Sequence, residues 1–163
     1  MSRKPLYSIA FCAILSACGS LPSAPPPVQE PRAPLPAERA EALLQALLAL
    51  GVDYRYGGNS PATGFDCSGL VAHVYQQAWG IKLPRTSAAQ SRVGTPVSLS
   101  ELQAGDLVFY DTLRQPYSHV GIYLGEGKFV HAPKTGARVR IESLNGDYWS
   151  KRFNGARRIQ PET

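Results

Sequence analysis

Apolar residues recur at helical spacing in the segment from Ala37 to Leu50. Glu38 and Glu41 lie in the predicted first turn, where carboxylates interact favourably with free backbone N–H groups, and Gly51 is a typical helix stop. We expect the helix to pack its leucines in the core; these are Leu43, Leu44, Leu47, Leu48 and Leu50.

A second helix is predicted to begin at Cys67 and to end at Trp79-Gly80, with Asp66 as its N-cap. Four apolar residues share a helical face with Cys67, namely Leu70, Val71, Val74 and Ala78. This face turns Cys67 toward the protein body and His73 toward solvent. A thiol in the first helical turn lies beside unpaired N–H groups, which favour the nucleophilic thiolate.

The sequence after a polar helical stretch that follows Leu83-Pro84-Arg85 is typical of short strands. Strands are predicted over residues 107–110, 119–124, 128–131, 138–141 and 155–159, and Gly125-Glu126-Gly127 joins the second and third of these as a hairpin. Helices that precede an antiparallel sheet indicate an α+β domain.

Residues 1–17 have the pattern of a secretory signal, with Arg3 and Lys4 before a short apolar run. The end of this run, Leu15-Ser16-Ala17-Cys18, resembles a bacterial lipobox, which predicts acylation of Cys18 as the mature N-terminus. Gly19 follows Cys18 at the position where lipoproteins retained in the inner membrane carry an aspartate. We therefore expect the protein at the outer membrane, facing the periplasm. Residues 18–36 then form a proline-rich spacer and residues 37–163 a single domain.

Processing simplifies both the charge and the cysteine content of the chain. Loss of Arg3 and Lys4 with the signal lowers the formal net charge from +5 to +3, and nucleic acid is not an expected partner of an exported lipoprotein. Cys12 leaves with the signal and Cys18 is consumed by lipid, so Cys67 remains alone. A lone thiol in an oxidising compartment favours a role beyond packing.

Two histidines in the predicted hairpin supply possible partners for Cys67. A loop of three or five residues centred on Gly125 places His119 directly opposite His131, whereas a slip of one residue would separate their faces. A thiol followed by two imidazoles has the arrangement of a nucleophile, a base and an orienting group.

Six motifs in order resemble the NlpC-type family of papain-like cell-wall cysteine peptidases. They are Tyr56-Gly57-Gly58, the segment 65–71 around Cys67, Leu83-Pro84-Arg85, the segment 105–109, the segment 118–124 and Phe129-Val130-His131-Ala132. The tail over residues 148–158 resembles the Spr-type lipoprotein branch. The resemblance extends from about residue 40 to the C-terminus and implies N-terminal helices packed on a central antiparallel sheet.

The resemblance also implies a peptidoglycan endopeptidase that uses neither cofactor nor metal. Cys67 would be the nucleophile, His119 the general base and His131 the orienting group that accepts the Nδ1–H of the base. The implied partners are peptidoglycan peptides and, through the lipid, a membrane; a monomer is expected. The residues do not decide between the stem bond after D-glutamate and the D-alanyl–diaminopimelate cross-link, and adaptor or regulatory protease partners stay open.

Further residues match family positions around the nucleophile. Tyr56 matches a hydroxyl that could help to hold the oxyanion, and Asp66, Ser68 and Ser118 match positions lining the substrate subsites. Each of the last three has a structural alternative, because Asp66 and Ser68 could serve only the helix start and Ser118 only the strand start. Arg85 could shape the cleft rim or form a surface ion pair.

Three other functions fit these residues less well than peptidoglycan hydrolysis does. A non-catalytic wall-binding lipoprotein on the same fold would be expected to lose the thiol or a histidine, and this chain keeps all three. Acyltransferases with related folds usually place histidine before cysteine. A zinc site built from Cys67, His119 and His131 lacks the closely paired ligand spacing of structural zinc motifs.

Overall fold

The structure is a computed structural model that describes residues 36–160. The predicted signal, Cys18, nearly all of the proline-rich spacer and residues 161–163 lie outside this range. Its helices and strands, in chain order, are α1 (Ala37–Leu48), β1 (Asn59–Ser60), β2 (Gly64–Phe65), α2 (Cys67–Trp79), α3 (Ser87–Gln90), β3 (Thr95–Val97), β4 (Leu107–Tyr110), β5 (His119–Gly125), β6 (Lys128–His131), β7 (Arg140–Ser143), α4 (Asp147–Ser150) and β8 (Phe153–Arg158). No helix within residues 36–160 is long and apolar enough to cross a membrane.

The central element is a six-stranded sheet in the order β3-β8-β4-β5-β6-β7, in which all neighbours are antiparallel. Helices α1 and α2 pack together on one face of it, where Leu107, Phe109 and Ile122 point. A smaller core around Tyr110 and Trp149 covers the other face. The predicted α+β class, with helices on an antiparallel sheet, is confirmed.

Helix α1 packs differently from the prediction. Its buried residues are alanines, Ala42 and Ala46, followed by Ala49 just after the helix. Four leucines lie partly in solvent, from 39% exposed at Leu50 to 68% at Leu48. The expectation that the leucines pack in the core is therefore wrong for these four. Small side chains let the backbone of α1 approach α2 closely, which the hydrophobicity of the sequence alone does not convey.

Helix α2 follows the predicted boundaries and the predicted face. Leu70, Val71 and Val74 are fully buried, and Gly80 ends the helix in the left-handed conformation. His73 is half-buried rather than on the surface, because its ring packs on Phe65 with 5.1 Å between ring centroids.

Asp106 joins the helical layer to the sheet. Its carboxylate is fully buried and accepts hydrogen bonds from Arg158 at 2.8 and 2.7 Å and from Arg39 at 3.5 Å. It also accepts from the backbone N–H of Gln103 at 2.8 Å, which fixes the turn that starts β4. The Gly105-Asp106 pair is thus a structural turn.

Candidate active site

Cys67 is the first residue of α2, and its thiol lies where that helix meets β5. Asp66 caps the helix through a 2.7 Å hydrogen bond from the backbone N–H of Gly69. The backbone N–H groups of Val120, Ser68 and Cys67 itself lie near enough to the sulfur to lower the pKa of the thiol. Because Val120 directly follows His119, the thiol lies at the start of the strand that carries that histidine.

Burial opposes the effect of the helix start on Cys67. Desolvation raises the pKa of the thiol, the N–H of Val120 lowers it, and the nearby charge of Asp66 raises it again. The net pKa lies above the ordinary value of 9.0. The helix start favours the thiolate as expected, but burial outweighs this effect, so the resting protein holds a neutral thiol at pH 7.

Asp66 does more than cap the helix. Arg85 donates two hydrogen bonds to its carboxylate, at 3.0 and 2.6 Å, and the backbone N–H of Gly57 donates a third at 2.9 Å. Burial raises the pKa of Asp66, but these bonds and the charge of Arg85 lower it by more than burial raises it. The net pKa lies below the ordinary value, so the group stays ionised. Asp66 therefore ties three segments together beside Cys67: the start of α2, the loop at Gly57 and the Leu83-Pro84-Arg85 segment.

The hairpin places both histidines on one face of the sheet, although by a register other than the predicted one. Near the turn Gly125 pairs with Lys128, and continuing that register would set His131 opposite Ile122, on the wrong face for His119. A bulge at Leu124 shifts the pairing so that Ile122 faces Val130, which brings His131 opposite Gly121. The two histidines are diagonal neighbours instead of directly opposite.

His119 and His131 form a hydrogen bond of 2.8 Å between Nε2 of His119 and Nδ1 of His131. The prediction that His119 bonds to His131 through its Nδ1 is therefore wrong, because the bond uses Nε2 instead. The arrangement leaves Nδ1 of His119 available to the thiol. If that nitrogen accepts a proton, Nε2 of His119 carries hydrogen and donates to His131, whose own proton then lies on Nε2. Nε2 of His131 has no hydrogen-bond partner within residues 36–160.

Trp149, from α4, forms an aromatic wall over the histidine pair. Its ring stacks on His119 with 5.5 Å between centroids and meets His131 edge-on at 4.9 Å. Burial lowers the pKa of His119 to about 4. Burial also lowers the pKa of His131, and the neighbouring His119 and Arg140 lower it further. Both imidazoles are therefore neutral at pH 7.

The tyrosine beside the nucleophile is Tyr54, not Tyr56. Tyr56 lies in a turn and is 88% exposed. Tyr54 packs against the core next to Cys67, and burial raises the pKa of its hydroxyl, with the charges of Cys67 and Asp66 adding to the effect. Its hydroxyl stays protonated and can donate a hydrogen bond. The match to the Tyr56-Gly57-Gly58 motif indicated Tyr56 alone, and the packing of Tyr54 two residues earlier carried no signal in the sequence.

The two serines hold structure around the site. Ser68 is buried, and its hydroxyl lies 3.3 Å from Asp66 and 3.0 Å from Arg85. The Ser118 hydroxyl accepts hydrogen bonds from the backbone N–H groups of Thr112 and Leu113 at 2.9 and 3.3 Å, which orders the loop before β5. Both hydroxyls are thus engaged in contacts within the protein. The backbone N–H of Ser68 has a separate effect, since it lowers the pKa of the Cys67 thiol.

A cleft of about 550 Å³ is lined by His119 but not by Cys67. Residues 112 and 113, in the loop held by Ser118, line the cleft. Its other lining residues include aromatic and charged side chains, namely Lys134, Arg140, Glu142, Tyr148 and Trp149. Among residues 36–160, no group of three or more His, Cys, Asp or Glu side chains is placed to hold a metal ion.

Comparisons with known proteins identify the family of this chain. The profile of the NlpC/P60 family matches residues 51–158. The murein DD-endopeptidase MepH of Escherichia coli K12 is 45% identical over 75% of this chain and 46% of its own length. The murein DD-endopeptidase/LD-carboxypeptidase MepS of the same strain is 46% identical over 67% of this chain and 56% of its own length. The chain thus spans about half the length of these relatives.

Solved structures are similar in the same region. An NlpC/P60 family protein from Bacillus cereus has a TM-score of 0.71 and 36% identity over 78% of this chain and 42% of that one. The NlpC/p60 domain of the peptidoglycan hydrolase SagA has a TM-score of 0.65 and 34% identity over 74% of this chain and 98% of that one. With the profile covering more than half of its length, this chain belongs to the NlpC/P60 family.

Proposed function

We propose that the protein is a cysteine peptidase that cleaves amide bonds in peptidoglycan. The observation that carries the proposal is the start of α2 at Cys67 beside the strand that bears the hydrogen-bonded pair His119–His131; the backbone N–H of Val120, the residue after His119, lowers the pKa of the thiol. The arrangement provides a nucleophile, a base and a group that orients the base.

The reaction starts from a neutral thiol and a neutral imidazole. Nδ1 of His119 takes the Cys67 proton as the sulfur attacks the carbonyl carbon, and Nε2–H remains bonded to His131. The resulting imidazolium then gives its proton to the leaving nitrogen, the C–N bond breaks, and the acyl group stays on sulfur. His119 finally activates a water that releases the acyl group and regenerates the thiol.

Oxyanion stabilisation comes from the start of α2. We assign the oxyanion to two donors, the N–H of Cys67 at the start of α2 and the hydroxyl of Tyr54, whose pKa the charge of Cys67 raises. Removal of one such donor typically raises the barrier by about 2.7–4 kcal/mol. We therefore expect Tyr54→Phe to lower kcat far more than Tyr56→Phe, which serves as its matched control.

The decisive experiment is digestion of purified peptidoglycan followed by mass spectrometry of the fragments. Cys67→Ala and His119→Ala should release none, while circular dichroism shows that both variants fold. Undiminished release by folded Cys67→Ala would refute the proposal. The masses also identify the bond; the names of MepH and MepS, both DD-endopeptidases, support the D-alanyl–diaminopimelate cross-link over the bond after D-glutamate.

We also propose that the chain is a lipoprotein, acylated at Cys18 and held at the outer membrane. The support is the sequence Leu15-Ser16-Ala17-Cys18-Gly19 alone. Several acyl chains on one residue anchor durably, because each buried methylene contributes about 0.8 kcal/mol. Cys18→Ala should move the protein from the membrane fraction to the soluble periplasm; a variant that stays with the membrane would contradict this.

A further inference from the structure

The cleft is lined by His119, the residue that gives its proton to the leaving amine in the proposed mechanism. In acyl transfer the acyl half of the substrate stays on sulfur, while the amine half leaves from the side of the acid that protonates it. His119 lines this cleft and Cys67 does not. The cleft is therefore placed to receive the amine half, and its volume of about 550 Å³ is that of a small-ligand site.

The charges in the cleft are not equally available to a ligand. The carboxylate of Glu142 accepts from Arg140 through both Nε and a terminal nitrogen, each at 2.8 Å, so these two charges largely neutralise each other. The other carboxylate among the lining residues is Asp147, in the first turn of α4. Lys134 is exposed, and its ammonium has no ion-pair or hydrogen-bond partner within residues 36–160.

Lys134 is also close in the chain to the catalytic groups. It lies three residues after His131, the last residue of β6, and it lines the same cleft as His119. A lysine ammonium on a flexible stem is suited to pairing with a carboxylate. An anion bound by it inside so small a cleft would belong to the residue that bears the leaving nitrogen.

We propose that this cleft binds the amine half of the substrate and that Lys134 selects amine halves with a free carboxylate on the carbon that bears the leaving nitrogen. The inference rests on the peptidase function proposed above and deepens it. Inside an ordinary peptide that position is an amide and carries no charge. The free carboxylate is present when the amine half ends there, as in a carboxyl-terminal residue, or when the nitrogen belongs to a diamino diacid joined through its side-chain amine.

The test compares two cross-linked muropeptides that differ only at this carboxylate, one free and one amidated. Wild type is expected to prefer the free form about fivefold in kcat/KM, mainly through KM, as for a partly exposed ion pair. Lys134→Gln should lose this preference and Lys134→Arg should keep it. Lys82→Gln, in the segment after α2 and outside the cleft lining, is the matched control and should behave as wild type. Equal losses on both substrates in Lys134→Gln, or indifference of wild type to amidation, would overturn the proposal.

A binding measurement separates this inference from the peptidase function. Calorimetry with Cys67→Ala protein and the amine-half product, free or amidated, reports on the cleft without any turnover. If wild type cleaves neither substrate, the proposed function fails, and this measurement alone decides on Lys134. Tighter binding of the free form, lost in Cys67→Ala/Lys134→Gln, supports the inference; equal binding of both forms refutes it.

Discussion

Replacement of Asp66 tests whether one carboxylate holds the start of α2 together with the neighbouring loops. Asp66→Ala removes the N-cap bond to Gly69, which typically costs about 1 kcal/mol. It also removes the ion pair with Arg85, which is worth about 1 kcal/mol at most because the Arg85 side chain is 44% exposed. The expected loss in the free energy of unfolding is therefore about 2 kcal/mol.

Two companion variants divide this loss. Asparagine is as good an N-cap as aspartate, so Asp66→Asn should cost only the ion pair, about 1 kcal/mol. Arg85→Gln should cost a similar amount, because it keeps the cap and removes the same pair. Urea denaturation of the purified protein measures all three; with a slope of about 2 kcal/mol per molar, Asp66→Ala should lower the midpoint by about 1 M.

The contribution of Asp66 to the free energy of unfolding should also depend on pH, which tests the same reasoning independently. The folded pKa of Asp66 lies below the unfolded value of 3.8, so its charge stabilises the fold above pH 3.8. That contribution is lost as the pH falls through the folded pKa. The gap between wild type and Asp66→Asn should thus be full at pH 7 and close in acid. A cost of Asp66→Asn equal to that of Asp66→Ala, or a cost of Asp66→Ala below about 0.5 kcal/mol, would refute the reasoning.

Three further outcomes are expected. Alkylation of Cys67 by iodoacetamide, followed by peptide mass spectrometry, should accelerate up to and beyond pH 9, because burial raises the thiol pKa above 9.0 and lowers that of His119 to about 4; a rate that is flat between about pH 5 and 8 would indicate a resting ion pair. Gly121→Ala would place a Cβ 2.7 Å from the Phe129 ring, so thermal unfolding should show a loss of about 1–3 kcal/mol together with reduced hydrolysis, and an unchanged Tm would contradict this. Asp106→Ala strands the arginines that it pairs and should cost about 3–5 kcal/mol in urea, whereas a loss below about 1 kcal/mol would show that the buried pairs contribute little.

Local signals in the sequence predict much of this site because they act over a few residues. Asp66 before an apolar helical face fixes where α2 begins, and the glycines around residue 126 fix the hairpin. The predicted strand at 138–141 lies at Arg140–Ser143 and the last one begins at Phe153, shifts of two residues that are ordinary for strand ends. The strand Thr95–Val97 and the four-residue α4 have too few residues for a periodic pattern.

Features set by packing could not be predicted from the sequence. The bulge at Leu124 depends on how β5 meets the core, and no pattern in the residues distinguishes it from a regular turn. The choice of Ala42 and Ala46 over the leucines depends on how near α2 lies. The same holds for the thiol of Cys67, because the helix start is visible in the sequence whereas the desolvation that outweighs it is a property of the assembled fold.

The bulge at Leu124 limits how the turn between the two histidine strands can change during evolution. Because side chains alternate between faces, an insertion or deletion of two residues in the turn keeps His119 and His131 on the same face. A change of one residue would move His131 to the opposite face unless a bulge were gained or lost with it. The need to keep both histidines on one face therefore constrains the number of residues in a turn several positions away. Active variants of this turn should differ in length by two residues, or should gain or lose the bulge at the same time.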